Sequence, residues 1–63
     1  MKNEKLKRKR LRNGFTQKAI AEEIGMKLTT YTKKENGLTK FNIDEALKIA
    51  KILNCDVKDI FFD

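Results

Sequence analysis

Residues 15–37 read FTQKAIAEEIGMKLTTYTKKENG, two helix-length segments on either side of one glycine. In the first segment, Thr16 precedes apolar residues with three- and four-residue spacing that end at Gly25, which predicts a helix with Thr16 as its N-cap. The second segment, about residues 28–35, has only two apolar residues, so most of its surface is polar. The stretch therefore predicts two short helices joined by a tight turn.

Glycines divide the rest of the chain, which contains no proline. Gly14, Gly25 and Gly37 each follow a helical pattern, as expected where a helix ends in a left-handed residue. The segment before Gly14 is nearly all Lys and Arg, and it predicts a first helix from an Asn3 cap to about residue 12. Its few apolar residues, Leu6 and Leu11, are expected to anchor it to the core.

The last third of the chain predicts the central core helix and a short final one. Asn42 with Glu45 three residues later forms an Asn version of the capping box. The apolar residues expected to face the core are Ile43, Ala46, Leu47, Ile49, Ala50, Ile52 and Leu53. Asn54 is expected to close this helix in a left-handed turn, after which Asp56 and Asp59 begin the last helix.

Five helices account for the chain, and no stretch alternates apolar and polar residues for long enough to require a strand. We therefore expect an all-α, compact five-helix fold, with residues 1–63 as a single domain. A chain of this size hides only roughly 60% of its unfolded surface, so the core has to come from helix packing. One cysteine, Cys55, and no histidine exclude an internal disulfide and a Cys/His zinc cluster, and we expect no metal or cofactor.

The charges are unevenly distributed. Fifteen Lys and Arg against nine Asp and Glu give a formal charge of +6, made up of +8 on residues 1–40 and −2 on residues 41–63. Such a basic field attracts polyanions, nucleic acid first and anionic membrane second. The basic first helix lacks the broad apolar face that membrane attachment needs. No spanning segment or signal peptide is recognisable, so we expect a cytoplasmic protein with a reduced thiol.

The residue inventory argues against an enzyme. Without serine or histidine there is no Ser/His/Asp or Cys/His nucleophile, and there is no glycine-rich phosphate loop. The adjacent acidic pairs, Glu22-Glu23 and Asp44-Glu45, are interpreted as helix-surface charge and helix-start acids. Cys55 is interpreted as a buried or partly buried small hydrophobe rather than a redox sensor.

Four short motifs together resemble the helix-turn-helix signature of the lambda-repressor-like family, the phage repressor and Cro type of the XRE-like transcriptional regulators. They are Phe15-Thr16-Gln17, Ile20-Ala21, Ile24-Gly25-Met26 and Glu35-Asn36-Gly37. Residues 46–53 and 57–61 are similar to the family's fourth and fifth helices. The resemblance implies a helix-turn-helix at about residues 16–36, with its first helix across the DNA backbone and its second, the recognition helix, in the major groove.

The resemblance also implies roles for single residues. Those expected to face base edges are Lys27, Leu28, Thr29, Thr32 and Lys33. Those expected to contact DNA phosphates are Gln17, Arg10, Asn36, Thr39 and Lys40. Arg10 and Glu35 resemble an internal ion pair between the first and third helices, and for Arg10 this structural role is favoured over a phosphate contact. The chain departs from the family pattern at Lys27, Lys34 and Phe41; we expect the Lys34 stem to lie over the core and Phe41 to pack.

The expected function is that of a sequence-specific DNA-binding transcriptional regulator, a repressor rather than an activator, encoded by a bacterium or phage. Since one recognition helix covers only a half-site, we expect a homodimer on a palindromic operator. The expected interface is the C-terminal end, with Val57, Lys58, Ile60 and Phe62. No small-molecule ligand is expected, because the chain has no room for a sensing domain. An antitoxin or protein-interaction module of the same fold, with another protein as main partner, remains the alternative.

Overall fold

The computed structural model describes residues 3–61. Its helices, in chain order, are α1 (Glu4–Arg12), α2 (Gln17–Glu23), α3 (Leu28–Glu35), α4 (Ile43–Ile52) and α5 (Val57–Phe61). Residues 3–61 contain no strand. The predicted all-α fold with five helices is therefore confirmed.

The starts of α2 and α4 are fixed by side-chain caps, as predicted. The Thr16 hydroxyl accepts a hydrogen bond from the backbone N–H of Ala19 at 3.0 Å. At α4, the Asn42 side chain accepts from the Glu45 N–H at 2.7 Å, while the Glu45 carboxylate accepts from the Asn42 N–H at 2.9 Å. These bonds satisfy N–H groups that have no partner within their helix.

The start of α1 is held differently from the prediction. Asn3 does precede α1, but its side chain caps nothing. Instead its Nδ2 donates to the backbone oxygen of Lys34 at 2.9 Å, and its backbone N–H donates to that of Glu35 at 3.0 Å. Asn3 therefore attaches the first turn of α1 to the last turn of α3.

Left-handed residues end the helices as predicted. The φ angles are +79° at Gly14, +70° at Gly25, +82° at Gly37 and +54° at Asn54. In the turn between α2 and α3, the Met26 N–H donates to the Ala21 oxygen at 2.8 Å. A Cβ at Gly25 would meet nothing within 4 Å, so this position favours glycine because of its φ and not because of space.

All five helices contribute to one apolar core. Its largest fully buried side chains are Leu6, Ile20, Tyr31, Ile49, Leu53 and Ile60. The helix α1 packs on α3 and α5, α2 packs on α3, and α4 packs on α5. The helix that the resemblance identifies as the recognition helix, α3, therefore packs on the two helices that precede it.

The structure corrects two predictions about the core. Leu11 is 56% exposed, so its predicted anchoring role is wrong. It follows Leu6 by five residues, which places it about 140° away around the helix, whereas Arg10 lies on the buried side. In α4, Ile43 and Leu47 are 77% and 54% exposed, although their pattern predicted core positions.

The structure also corrects one predicted interface residue. Ile60 is 1% exposed and belongs to the core, so it is not available to a second copy of the chain. Of the other candidates, Val57 is half-buried and Lys58 is exposed. Phe62 lies outside the described residues.

Candidate nucleic-acid interface

The outer side of α3 gathers the residues expected to face bases. Lys27, Leu28, Thr29 and Lys33 are exposed, and Thr32 is half-buried. At 3.6 residues per turn, positions 28, 29, 32 and 33 share one side of the helix. We call the surface formed by these five residues the α3 face.

The α3 face combines three kinds of contact group. The two lysines bring ammonium donors, which can bond the O6 and N7 of guanine. The Thr29 hydroxyl can donate or accept, whereas the Thr32 hydroxyl donates to the Gln17 side chain and is left as an acceptor. Both threonines bring methyl groups that can touch thymine. Leu28 offers apolar contact only. A surface with these groups on one short helix can make both hydrogen bonds and apolar contacts along the edge of a base pair.

The inner side of α3 is tied to α1 by a buried ion pair. Arg10 Nε donates to Glu35 Oε2 at 2.9 Å, and Arg10 Nη2 donates to Glu35 Oε1 at 3.0 Å. The remaining terminal nitrogen, Nη1, donates to the Phe15 oxygen at 2.8 Å. Since Arg10 is only 4% exposed, its guanidinium is directed to these partners and away from solvent, which disfavours the phosphate contact.

Glu35 collects two further hydrogen bonds besides those of Arg10. The Tyr31 hydroxyl donates to its Oε2 at 2.6 Å, and Gln17 Nε2 donates to its Oε1 at 3.1 Å. The Gln17 oxygen in turn accepts from the Thr32 hydroxyl at 3.1 Å. We call Arg10, Gln17, Tyr31, Thr32 and Glu35 the Glu35 cluster. It connects α1, α2 and α3 through side chains alone.

The Glu35 cluster holds its carboxylate in the ionised form. Burial by itself raises the pKa of Glu35, but the hydrogen bonds from Arg10, Tyr31 and Gln17 outweigh burial and lower that pKa below its ordinary value. The hydrogen bond to Glu35 raises the pKa of Arg10. Burial, followed by the hydrogen bond to Glu35, raises the pKa of Tyr31, which stays protonated as a donor.

Gln17 therefore has an internal role that the sequence did not reveal. It is the first residue of α2 and is half-buried, with both ends of its amide bonded to α3 side chains. Within residues 3–61, these bonds use one of the two N–H groups of the amide. Gln17 thus sits between the outer face of α3, through Thr32, and the buried ion pair, through Glu35.

Tyr31 was also missed as a polar member of the cluster, because the sequence presented it as an apolar residue of α3. The signal was present, since Tyr31 precedes Glu35 by four residues and side chains at that spacing are neighbours on a helix. The structure shows this ring fully buried with its hydroxyl on the carboxylate. A buried tyrosine generally finds such a partner for its O–H.

The loop after α3 carries the remaining predicted phosphate contacts. Asn36, Thr39 and Lys40 are all exposed there. Before the loop, the Lys34 stem lies over the core as expected, with Nζ 2.6 Å from Glu45 Oε1 and 5.9 Å from the centre of the Phe41 ring. Phe41 packs on the core and meets the rings of Tyr31 and Phe61 edge to face.

No helix within residues 3–61 has the length and apolar character required to cross a membrane. In the same residues, His, Cys, Asp and Glu form no cluster that could hold a metal ion.

A family model described as helix-turn-helix matches residues 6–60, from within α1 to α5. Searches of the curated proteins and of the solved structures gave no significant match. The matched region contains α2, the turn at Gly25 and α3, and it covers most of the chain. The chain therefore belongs to the XRE and lambda-repressor-like helix-turn-helix family of DNA-binding transcription regulators.

Proposed function

We propose that this protein is a sequence-specific repressor that binds a palindromic operator as a homodimer, with α3 in the major groove. The observation that carries the proposal is the two-sidedness of α3. Its outer side leaves lysine, threonine and leucine side chains in solvent, while its inner side is fixed by the Glu35 cluster. A recognition helix needs both properties, because base readout depends on side chains held in a constant orientation.

Phosphate contacts on either side of α3 would set the position of the helix on the duplex. Gln17 is half-buried at the start of α2, and Asn36, Thr39 and Lys40 are exposed in the loop after α3. Contacts of this kind orient a protein on DNA without reading its sequence. The net charge of +8 on residues 1–40 favours the same contacts, because it attracts the DNA phosphates.

The size of α3 supports binding as a pair. A helix of eight residues is about 12 Å long and spans only part of an operator. Two copies would place their recognition helices one DNA turn apart, roughly 34 Å. The described part of one copy measures 24 × 23 × 20 Å, which fits this spacing if the copies touch and each α3 lies on the side away from the contact.

We propose that the protein represses transcription by occupying a promoter, and that it does so in the cytoplasm, where the DNA lies. We propose residues 1–63 as a single DNA-binding domain.

Selection of binding sites from random duplex DNA at two salt concentrations tests the proposal. We expect a palindromic consensus with two half-sites one turn apart, and an affinity that falls with salt because phosphates are contacted. Salt-sensitive binding without a consensus would contradict sequence-specific repression and favour a role that depends on a protein partner.

A matched pair of variants then tests the α3 face. Lys33→Ala should weaken binding to the selected site by about 1–3 kcal/mol and relax the preference at one position of each half-site. Lys48→Ala removes an equally charged, exposed side chain from α4 and should leave the consensus unchanged. Equal effects of the two variants on the consensus would show that α3 does not read bases.

A further inference from the structure

We propose that the Thr32 hydroxyl reads the operator as a hydrogen-bond acceptor only, and therefore selects adenine or cytosine over thymine or guanine at one position of each half-site. The direction of this hydroxyl is set from inside the fold, because Gln17 connects it to the buried Glu35 carboxylate. The inference rests on the proposed function and deepens it, since it names the bases that one residue of the α3 face selects.

The fixed point of this arrangement is the Glu35 carboxylate. Arg10 donates to both of its oxygens, at 2.9 Å and 3.0 Å, and a guanidinium has donors only. Although burial raises the pKa of Glu35, the hydrogen bonds from Arg10, Tyr31 and Gln17 lower that pKa below its ordinary value. Glu35 is therefore ionised at neutral pH, and its oxygens can only accept hydrogen bonds.

The carboxylate determines which end of the Gln17 amide faces it. Gln17 Nε2 donates to Glu35 Oε1 at 3.1 Å. The opposite orientation of the amide would place Gln17 Oε1 against that carboxylate oxygen, two acceptors with no proton between them. The Gln17 oxygen is consequently directed at the other neighbour of the amide, the Thr32 hydroxyl, at 3.1 Å.

The amide oxygen in turn determines the direction of the Thr32 hydroxyl. A hydroxyl has one proton and two lone pairs, and since the Gln17 oxygen can only accept, the proton of Thr32 is used in this bond. Thr32 can therefore offer only a lone pair outward. The residue is half-buried and shares one side of α3 with Thr29 and Lys33, so its uncovered part belongs to the α3 face.

An acceptor distinguishes bases by the groups that they present in the major groove. Adenine presents its N6 amino group and cytosine its N4 amino group, whereas thymine presents O4 and guanine presents O6 and N7, which are acceptors. A threonine that is free to rotate can donate or accept, so its hydroxyl does not separate these two groups of bases. Because Thr32 is restricted to accepting, we expect it to favour the bases that carry an amino group.

Thr29 provides a comparison on the same helix. It is exposed, and within residues 3–61 its hydroxyl makes no hydrogen bond to another side chain. Its proton remains available, so the Thr29 hydroxyl can donate or accept against DNA. Two threonines of the α3 face are thus expected to differ in base selection because one of them is bonded to Gln17.

The experiment is a cycle of two proteins and two duplexes, measured by fluorescence anisotropy. The proteins are the wild type and Thr32→Val, which keeps the side-chain shape and removes the hydroxyl. Both duplexes carry the selected operator. At the position whose preference Thr32→Val relaxes, one has adenine and the other has purine deoxynucleoside, which lacks the N6 amino group and leaves the opposite thymine in place. We expect loss of the amino group to weaken wild-type binding about fivefold more than Thr32→Val binding, the size of one hydrogen bond.

Equal weakening of the two proteins would overturn the inference, because a Thr32 that donates to O4 of the opposite thymine does not depend on the amino group. A consensus that is the same for Thr32→Val and the wild type would overturn it as well. Circular dichroism checks that the variant is folded. If Thr32→Val is not, Thr32→Ala replaces it, with the same expectation and the same overturning results.

The role of Gln17 as a positioning residue is tested by Gln17→Met, which keeps the length of the side chain and removes the amide. The Thr32 hydroxyl is then free to donate, so its preference for adenine or cytosine should fall from about fivefold to within about twofold. Thr29→Val is the control and should leave this preference unchanged. A Gln17→Met variant with lower affinity but an intact preference at this position would contradict the link between Gln17 and base selection. Gln17→Ala is used if the longer variant does not fold.

Failure of this inference is distinguishable from failure of the proposed function. Selection without any consensus would contradict the proposed function, and the inference with it. A consensus in which the Thr32 hydroxyl makes no distinction between bases with and without an amino group would contradict the inference alone, and the proposed function would stand.

Discussion

Two ion pairs begin at neighbouring residues of α3 and differ in surroundings. Lys34 reaches Glu45 at 2.6 Å, with side chains 15% and 23% exposed, while Glu35 is bonded to Arg10 at 2.9 Å, with side chains 3% and 5% exposed. The ion pair with the shorter distance is thus the one that is more exposed to solvent. Burial and the number of hydrogen bonds, not the distance alone, determine how much the fold depends on each pair.

The same contrast separates the two parts of the molecule. The Glu35 cluster connects α1, α2 and α3 by directional hydrogen bonds, whereas α4 and α5 join the core mainly through apolar side chains. Directional bonds fix the rotation of α3 about its own axis more strictly than apolar contact alone does. The part that presents the α3 face is thus the part with the most buried polar contacts.

The largest effect is expected from removing one partner of the buried pair. Arg10→Ala leaves the Glu35 carboxylate buried without its main counter-charge, and should lower the free energy of unfolding by about 3–5 kcal/mol. Urea denaturation followed by circular dichroism measures this. A loss below about 1 kcal/mol, the range of exposed pairs, would contradict the structural role of Arg10.

The control replaces both partners. Arg10→Met with Glu35→Met removes the two charges together, so no unpaired buried charge is left. We expect the double variant to be more stable than Arg10→Ala, and its operator affinity to be below that of the wild type because α3 is no longer held by directional bonds. A double variant no more stable than Arg10→Ala would show that the unpaired carboxylate is not the cause of the loss.

A smaller effect is expected at Tyr31. Tyr31→Phe keeps the buried ring and removes one donor at 2.6 Å from a charged acceptor, which should lower the free energy of unfolding by about 1.5–3 kcal/mol. Thermal unfolding of the variant at neutral pH gives the value. An unchanged free energy of unfolding would mean that the hydrogen bonds from Arg10 and Gln17 stabilise the Glu35 carboxylate fully without the one from Tyr31.

Acidification should weaken both pairs. The pKa values of Glu35 and Glu45 are lowered in the folded chain, so their stabilisation is complete above the unfolded value of about 4.3 and is lost as pH falls through the folded values. The effect of protonating Glu35 should be below that of Arg10→Ala, since a neutral carboxyl keeps some hydrogen bonds. Unfolding free energies measured from about pH 2 to about pH 7 test this expectation. If the free energy of unfolding depended on pH in the same way for the wild type and for the Arg10→Met, Glu35→Met variant, Glu35 would be excluded as a source of the pH dependence.

The smallest effect is expected at the more exposed pair. Lys34→Met keeps an apolar stem over Phe41 and removes the charge, so the free energy of unfolding should fall by about 1 kcal/mol or less. Urea denaturation in low and high salt tests this, because screening should narrow the difference between variant and wild type. A loss equal to that of Arg10→Ala would remove the distinction between the two pairs.

Local sequence signals predicted the helices well because their ends depend on neighbouring residues. The Thr16 and Asn42 caps and the left-handed residues at the glycines and Asn54 all act within one turn of their own helix. Burial was less predictable, since it depends on which elements meet. Leu11 and Ile60 were placed wrongly for this reason, one being exposed and the other buried.

The candidate site was predictable as a surface but not as a network. The exposed residues of α3 follow from helical periodicity and from the family resemblance. The bonds of Gln17 to Glu35 and Thr32 join residues 18 and 15 positions apart, which no local pattern encodes. The apolar hollow lined by Phe41, Ile43, Leu47, Val57 and Phe61 is likewise a product of tertiary packing, because it forms where α4, α5 and the loop before α4 leave apolar residues uncovered.

The most direct test is a nuclear magnetic resonance titration of the labelled chain with the selected operator duplex. We expect the largest amide shifts on residues 27–33 and on the loop at 36–40, with smaller shifts at Gln17. The outer surface of α1 should change little at moderate salt. Large shifts confined to α4 and α5, with the α3 face unaffected, would contradict the claim that α3 reads the DNA.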